Sequence, residues 1–275
     1  MSAANRPPIA DRDLRNPGGR SELWAVAMPT EHGGWGLTAE PVVLGLAVAP
    51  SVAGLCIGLA TMLAFVARTP LRINLVDRHR KRDLGRTALA RRVLLVEGTA
   101  IVGLVAAAAV TAPHSFWWPA IVAAPLIGTE LWFDARSRSR RLVPELAGTV
   151  GICAVAAMVI LAGGHSSTEA CAAWLILSAR AVTSIPHVRA QIARLHGRPT
   201  SVGTLFIADA VAVTSSAAAV VVDQSAAVGA VAVIVVVSLQ WLTSSTSVAA
   251  KVVGIRQTFL GVLVVVATAI GFRLA

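Results

Sequence analysis

The residues of this chain that could do chemistry are charged side chains set inside or beside long apolar runs. Glu40, Glu97 and Asp209 fall within such runs, and Glu31 and His32 come just before the first of them. Ionisable groups at membrane depth are costly, and they are usually paired or functional. If the protein is an enzyme, Glu31, His32 and Glu40 are the candidates for proton handling.

Arginines form a second group of candidates, since a guanidinium fork matches phosphate oxygens two at a time. The stretch 68–92, which we interpret as a solvated loop, carries nine Arg and Lys residues against two Asp. Arg68 and Arg72 lie four apart, on one face if the preceding helix continues through them. Arg180 is placed similarly at the end of a later run, and Arg189 follows Pro186 in the loop after it. Alternatively, these side chains only set the topology and contact anionic lipid.

Three further acids flank a loop that is rich in arginine. Glu130 and Asp134 precede it and Glu145 follows it, and the loop holds Arg136, Arg138, Arg140 and Arg141. Because intramembrane charges usually pair, we expect these acids to bind the arginines of their own loop. For Glu145 a place in the first turn of a helix is an equally simple explanation.

The elements that position these groups are predicted to be membrane-spanning helices. Of the 275 residues 56% are hydrophobic and only 14% are charged, against about 25% charged in soluble domains. A transmembrane helix needs roughly 20 mostly apolar residues. The sequence therefore predicts an all-α polytopic bundle of about nine helices, with spans near Gly34–Ala49, Ser51–Ala67, Ala88–Val110, Phe116–Trp132, Leu142–Ala162, Glu169–Thr183, Val202–Val222, Ala226–Leu242 and Gln257–Phe272.

The distribution of positive charge predicts the orientation of this bundle. With nine helices and a cytoplasmic N-terminus, 23 of the 24 Lys and Arg residues fall on the cytoplasmic side, and Arg273 falls on the other. That bias is typical of multi-pass proteins of the cell membrane. We expect residues 1–28 to be a largely disordered cytoplasmic tail and residues 29–275 to be one transmembrane domain. The sequence shows no basic helix face with interleaved aromatics, which argues against a nucleic-acid partner.

Several familiar kinds of site are not indicated. His32, His79, His187 and His196 lack metal-ligand spacing, and the three cysteines form no C-x-x-C pair, so no metal site is predicted. The chain also has no P-loop, nucleophile elbow or dinucleotide fingerprint.

Three segments carry a resemblance to a known family. PTEHGGWGLTAEPVVLGLAVA begins at Pro29, ARTPLRI begins at Ala67, and D-x-x-x-x-x-x-R-x-x-P-E-L-x-G runs from Asp134 to Gly148. Together they resemble the YwiC-like family of bacterial membrane proteins, over most of the chain from Pro29 onward. The resemblance implies a membrane protein but does not imply a particular reaction.

The layout is more distantly similar to the UbiA prenyltransferase superfamily, which has nine helices with polar loops after the second, fourth and sixth. In that superfamily an N-D-x-x-D motif binds Mg²⁺ and a lipid diphosphate, and a second Asp motif follows the sixth helix. Here only Asn74 and Asp77 match the first motif, and the loop after the sixth helix has no Asp. Because nine cations surround these groups, we expect no Mg²⁺ and no other cofactor.

These observations lead to one functional expectation and two alternatives. The first is that the protein binds an anionic amphipathic ligand of isoprenoid-phosphate type, or a membrane lipid, with or without a UbiA-like transfer reaction. The ligand-binding residues would be Arg68, Arg72, Asn74, Asp77, Arg180 and Arg189. A transporter with polar groups at Glu40 and Asp209 is the first alternative. A non-catalytic membrane subunit or assembly factor, with small residues such as Gly148 and Gly151 at its interface, is the second. The sequence predicts no oligomeric state.

Overall fold

The computed structural model describes residues 22–28, 32–82, 84–136, 141–243 and 248–275, and within these ranges every regular element is helical. The helices are α1 (Glu22–Ala27), α2 (His32–Val48), α3 (Val52–His79), α4 (Gly85–Thr111), α5 (Trp118–Ala135), α6 (Leu142–Ala162), α7 (Ser167–Leu195), α8 (Val202–Val222), α9 (Ala227–Leu242) and α10 (Ala250–Leu274). A 3₁₀ turn, Gln224–Ala226, joins α8 to α9.

The predicted fold class is confirmed. The long helices α2 to α10 follow the nine predicted spans in order. In the part of the chain that the structure describes, seven helices are long and apolar enough to cross a membrane: α3, α4, α6, α7, α8, α9 with its preceding turn, and α10. Helix α2 is apolar over the shorter range Gly34–Val48. The protein is therefore a multi-pass membrane protein, and its orientation remains a prediction.

Helices α6 and α7 form the centre of the bundle. Helix α6 packs against α2, α3, α5 and α7, while α7 packs against α2, α8, α9 and α10. Their buried faces are rich in alanine, with runs such as 154–157 in α6 and 170–173 in α7. Small side chains let helix backbones approach closely inside a membrane. Ser166 begins α7 by accepting a hydrogen bond from the Glu169 backbone N–H at 3.1 Å.

Two helices are longer than the sequence predicts, so the interpretation of 68–92 as a loop is wrong. Helix α3 continues to His79 and α4 begins at Gly85, which leaves a short connection between two helices. Helix α7 likewise runs to Leu195 rather than ending at Thr183. At 1.5 Å per residue, the 28 residues of α3 span about 42 Å, against a hydrocarbon core of about 30 Å. Helix α3 is therefore longer than a membrane span requires, and its last turn carries the basic residues Arg78 and His79.

Helix α4 lies at the edge of the bundle. It packs chiefly against α3, with α1 beside both. Thr87 near its start donates a hydrogen bond to Asp77 near the end of α3, at 2.6 Å. This bond closes the α3–α4 hairpin at its basic end. Of the tail predicted over residues 1–28, the structure describes α1 and Met28, and the prediction of disorder lies outside the described residues.

Candidate functional site

A buried ion pair joins three helices inside the bundle. Arg180 Nε of α7 lies 3.0 Å from Glu40 Oε2 of α2, and the two side chains are only 3% and 13% exposed. The second guanidinium contact runs to α10, where Arg180 donates to the backbone oxygen of Gln257 at 2.8 Å. A Cβ at Gly261 of α10 would overlap the Glu40 carboxylate. The absence of a side chain at Gly261 therefore makes room for the pair.

A second group of charges joins α3 to α5. Arg68 lies 2.6 Å from Glu130 Oε1 and 3.3 Å from Asp134 Oδ2. Glu130 lies directly over Gly148 of α6, where an added Cβ would overlap its carboxylate. Arg72 is half-buried one turn beyond Arg68 on α3. The prediction that Arg68 and Arg72 share one helix face requires a helix that continues past Pro70, and α3 continues to His79.

A third ion pair joins α6 to α7 at the surface. Arg189 Nη1 lies 2.7 Å from Glu145 Oε2, and both side chains are about two-fifths exposed, at 39% and 40%. The acids predicted to bind arginines of their own loop are therefore held by arginines of other helices. Arg136 instead places its guanidinium 3.3 Å from the ring centroid of Trp132, and Arg138 and Arg140 lie outside the described residues.

These contacts bring the basic segments to one end of the bundle. The second ion pair joins Arg68 of α3 to the last two turns of α5, and the third joins the first turn of α6 to the last two turns of α7. Arg273, the cation predicted for the opposite side, donates from Nε to the Ala47 backbone oxygen at 2.8 Å. Ala47 is the last residue but one of α2, and the orientation of the bundle remains a prediction.

Next to the third pair lies a depression of about 200 Å³ between α6, α7 and α8. Arg189 lines it together with three hydroxyl residues at the start of α8, Thr200, Ser201 and Thr204. Ser201 begins α8, and its Oγ accepts from the Thr204 backbone N–H at 3.3 Å. The remaining wall is apolar and consists of Leu142, Pro186, Ala190, Ala193, Pro199 and Leu205. The depression thus combines a cation, hydroxyls, a helix N-terminus and an apolar wall.

The two residues carried over from the UbiA motif do not fit a Mg²⁺ site. Asp77 is buried, and its Oδ2 accepts from Thr87 at 2.6 Å while its Oδ1 lies 3.4 Å from Arg86. Asn74 donates from Nδ2 to the backbone oxygen of Pro70 in its own helix, at 2.8 Å. In the described ranges no three His, Cys, Asp or Glu side chains come together as a metal site. We derive no step through a metal ion.

Two of the three predicted catalytic side chains lie outside the part of the chain that the structure describes. Glu31 lies outside the described residues, and His32 begins α2 with a side chain that the structure does not describe. Glu40 is engaged with Arg180. Among the predicted ligand-binding residues, Arg189 lines the depression, while Arg68 and Arg180 contact carboxylates in two other places.

Sequence reasoning missed a buried polar cluster where α7, α8 and α9 meet. Asp209 of α8 is surrounded by polar side chains of the two neighbouring helices: Thr183, Ser184, His187, Gln240 and Trp241. A signal for it exists in α7, where polar residues recur four, three and four positions apart at Arg180, Ser184, His187 and Gln191. That spacing places them on one helical face. The signal was lost because the predicted span ended at Thr183.

Comparison with known proteins finds a family match for part of the chain. Residues 28–160 match the family model described as YwiC-like protein. The match covers just under half of the chain, and it confirms the YwiC-like resemblance over those residues. No curated protein matches the chain, and no solved structure matches it. The likeness to the UbiA superfamily therefore remains a prediction.

Proposed function

We propose that this YwiC-like membrane protein binds the anionic head group of an amphipathic molecule of isoprenoid-phosphate type. The head group would lie in the depression beside Arg189, with its tail along the outside of α8. The observation that carries the proposal is the lining of that depression, where one guanidinium and three hydroxyl residues face an apolar wall.

The polar side of the depression suits a phosphate. A helix N-terminus presents backbone N–H groups and a partial positive charge to an anion, and α8 begins at Val202 beside Ser201. Arg189 supplies a planar fork that matches phosphate oxygens. The Arg189 guanidinium donates to the Glu145 carboxylate at 2.7 Å, so this side of the guanidinium is where an anionic oxygen would bind. A phosphate oxygen would compete with this carboxylate for the same side chain.

The apolar side suits an attached hydrocarbon chain. A volume of about 200 Å³ is smaller than the roughly 300–1,000 Å³ of pockets that enclose whole ligands, so it fits a head group alone. Phe206 and Ile207 follow the lining residues Thr204 and Leu205 on α8, and both are exposed. A tail leaving the depression can therefore continue over an apolar helix surface into the membrane.

The remaining predicted residues enter this proposal differently. Arg68 and Arg180 contact carboxylates elsewhere, so we place them in the framework of the bundle rather than at the head group. Transport is not proposed, because Glu40 and Asp209 are both engaged by other side chains of the chain. A role as a non-catalytic subunit is not proposed either. Gly148 and Gly151, the small residues expected at its interface, pack against α5 of the same chain.

Binding of farnesyl phosphate to the purified full chain tests the proposal, measured by native mass spectrometry in detergent. Loss of a hydrogen bond to a charged group costs about 1.5–3 kcal/mol, so Arg189→Ala should weaken the Kd by about 10- to 150-fold. Arg136→Ala is the matched control, because Arg136 stacks on Trp132 at the same end of the bundle. Farnesol should bind more weakly than farnesyl phosphate.

Two outcomes would contradict the proposal. Equal Kd values for Arg189→Ala and Arg136→Ala would remove Arg189 from the site. A strong loss in Arg68→Ala with none in Arg189→Ala would move the site to α3, where sequence reasoning first placed it.

A further inference from the structure

Arg256, in the second turn of α10, is a cation without a counter-charge in the described part of the chain. Its Nε and Nη2 atoms are buried, and neither has a hydrogen-bond partner among the described residues. A guanidinium keeps its charge in proteins and only donates hydrogen bonds. Water can accept such a hydrogen bond, but it cannot supply a negative charge. Burial of this group therefore favours the binding of an anion.

The helices packed around α10 offer no unengaged carboxylate within the described ranges. Helix α10 packs against α2, α7, α9 and the 3₁₀ turn, and the sequence after Asp223 contains no Asp or Glu. Glu40 of α2 lies 3.0 Å from Arg180. Glu169 of α7 accepts from the Ser166 backbone N–H at 2.8 Å, in the first turn of its helix. The anion has to come from outside these helices.

The position of Arg256 along α10 suits the level of lipid phosphates. Helix α10 is one of those long and apolar enough to cross a membrane. Its part after Arg256, from Gln257 to Leu274, spans about 27 Å at 1.5 Å per residue. The hydrocarbon core of a bilayer is about 30 Å thick. With this part of α10 in the hydrocarbon, the guanidinium lies where the head groups begin.

The surface of α10 that continues from Arg256 is apolar. Phe259, Leu263, Val266 and Ile270 follow Arg256 at steps of three and four residues, and all four are exposed. This spacing places them with Arg256 on one helical face. A cation therefore stands at the head of an exposed apolar stripe, as the site of an amphipathic anion requires.

We propose that Arg256 binds the phosphate of an anionic phospholipid, with an acyl chain of the lipid along the stripe from Phe259 to Ile270. The planar guanidinium matches two phosphate oxygens at once. The lipid supplies the negative charge that the neighbouring helices do not supply, and its chain covers the stripe. Inorganic phosphate would meet only the first requirement. The site does not rest on the proposed function, because the depression beside Arg189 lies between α6, α7 and α8.

Native mass spectrometry of the purified, delipidated full chain in detergent tests the inference, with dioleoyl phosphatidylglycerol as the probe. Dioleoyl phosphatidylcholine is the comparison lipid, because it has the same chains and phosphate but a quaternary ammonium cancels its charge. We expect phosphatidylglycerol to bind more tightly. Arg256→Gln should weaken the Kd for phosphatidylglycerol by about 10- to 150-fold, as expected for a lost hydrogen bond to a charged group.

Lys251→Gln is the matched control, because it removes one charge from the same end of the same helix. Lys251 is exposed, and a separation of five residues places it on a different face of α10 from Arg256. This variant measures the general attraction of a basic surface for anionic lipid. That attraction amounts to about fivefold in Kd for each cation, so the effect of Lys251→Gln should be no larger. Arg189→Ala should leave the Kd for phosphatidylglycerol unchanged.

Several results would overturn the inference. Equal weakening in Arg256→Gln and Lys251→Gln would leave only general charge attraction. A loss in Arg189→Ala with none in Arg256→Gln would move the lipid to the depression. Competition by inorganic phosphate at the concentration of the lipid would indicate a site for the anion alone. In the unmodified chain, where folding of a variant is not at issue, equal Kd values for the two lipids would also overturn it.

Discussion

Replacing Glu40 by Gln should destabilise the bundle strongly, because it would leave the Arg180 guanidinium buried without a counter-charge. The pair is 3% and 13% exposed, so water cannot take over the role of the carboxylate. Removing one partner of a buried pair costs about 3–5 kcal/mol. At about 2–4 °C per kcal/mol, the Tm should fall by roughly 6–20 °C.

The chain contains its own reporter for this measurement. Cys153 on α6 is 4% exposed, whereas Cys56 and Cys171 are partly exposed. In a Cys56→Ala, Cys171→Ala background, a thiol-reactive fluorophore should label Cys153 only when the bundle opens. Thermal unfolding in detergent followed by this labelling gives the Tm of each variant.

Glu145→Gln is the matched control, since it makes the same chemical change in another Glu–Arg pair. That pair is 39% and 40% exposed, and exposed pairs contribute about 0–1 kcal/mol. Adding Arg180→Met to Glu40→Gln should recover stability, because no unpaired charge is then buried. The reasoning is refuted if Glu40→Gln lowers the Tm no more than Glu145→Gln does. It is also refuted if the double variant is no more stable than Glu40→Gln alone.

Two further substitutions test contacts at the basic end of the bundle. Gly148→Ala should lower the free energy of unfolding by about 1–3 kcal/mol, because the new Cβ would overlap the Glu130 carboxylate of α5. Gly98→Ala is the control, because nothing lies within 4 Å of its new Cβ. It should be neutral or stabilising in the same thermal assay. Thr87→Val should cost about 1–3 kcal/mol, because buried Asp77 loses its 2.6 Å donor. Thr99→Val changes an exposed hydroxyl that bonds within its own helix, so an equal loss in both threonine variants would contradict the role given to Asp77.

The helices could be predicted from the sequence because apolar runs of membrane length have few other interpretations. The ends of the helices could not be predicted in this way. Hydropathy indicates where the apolar side chains of a span end, but a helix can continue beyond that point as long as its backbone hydrogen bonds do. Helix α3 carries Arg78 and His79 in its last turn, and α7 continues through Pro186 to Leu195. Charged residues and proline were interpreted as loop signals, although both lie within continuous helices here.

Some residues of the candidate site could be predicted from the sequence, but their contacts could not. The sequence indicates Arg189 as a ligand-binding residue and Asp209 as a polar group at membrane depth. In the structure Arg189 lines the depression, and Asp209 belongs to the buried polar cluster. Their partners could not be predicted, because Glu145 is 44 positions from Arg189 and Trp241 is 32 positions from Asp209. Without a three-dimensional arrangement, proximity along the chain was the remaining guide, whereas the described partners of Glu130, Asp134 and Glu145 are arginines of other helices.

The position of α4 at the edge of the bundle has a consequence for how its sequence can vary. Its outer side chains, such as Leu95, Val96, Val102 and Val110, are largely exposed, while its other face packs on α3. Lipid chains are fluid and adapt to any outline, so one aliphatic residue can replace another on the outer face without disturbing a fitted neighbour. Substitutions among aliphatic residues should therefore be tolerated on the outer face, whereas the face that packs on α3 must keep its shape.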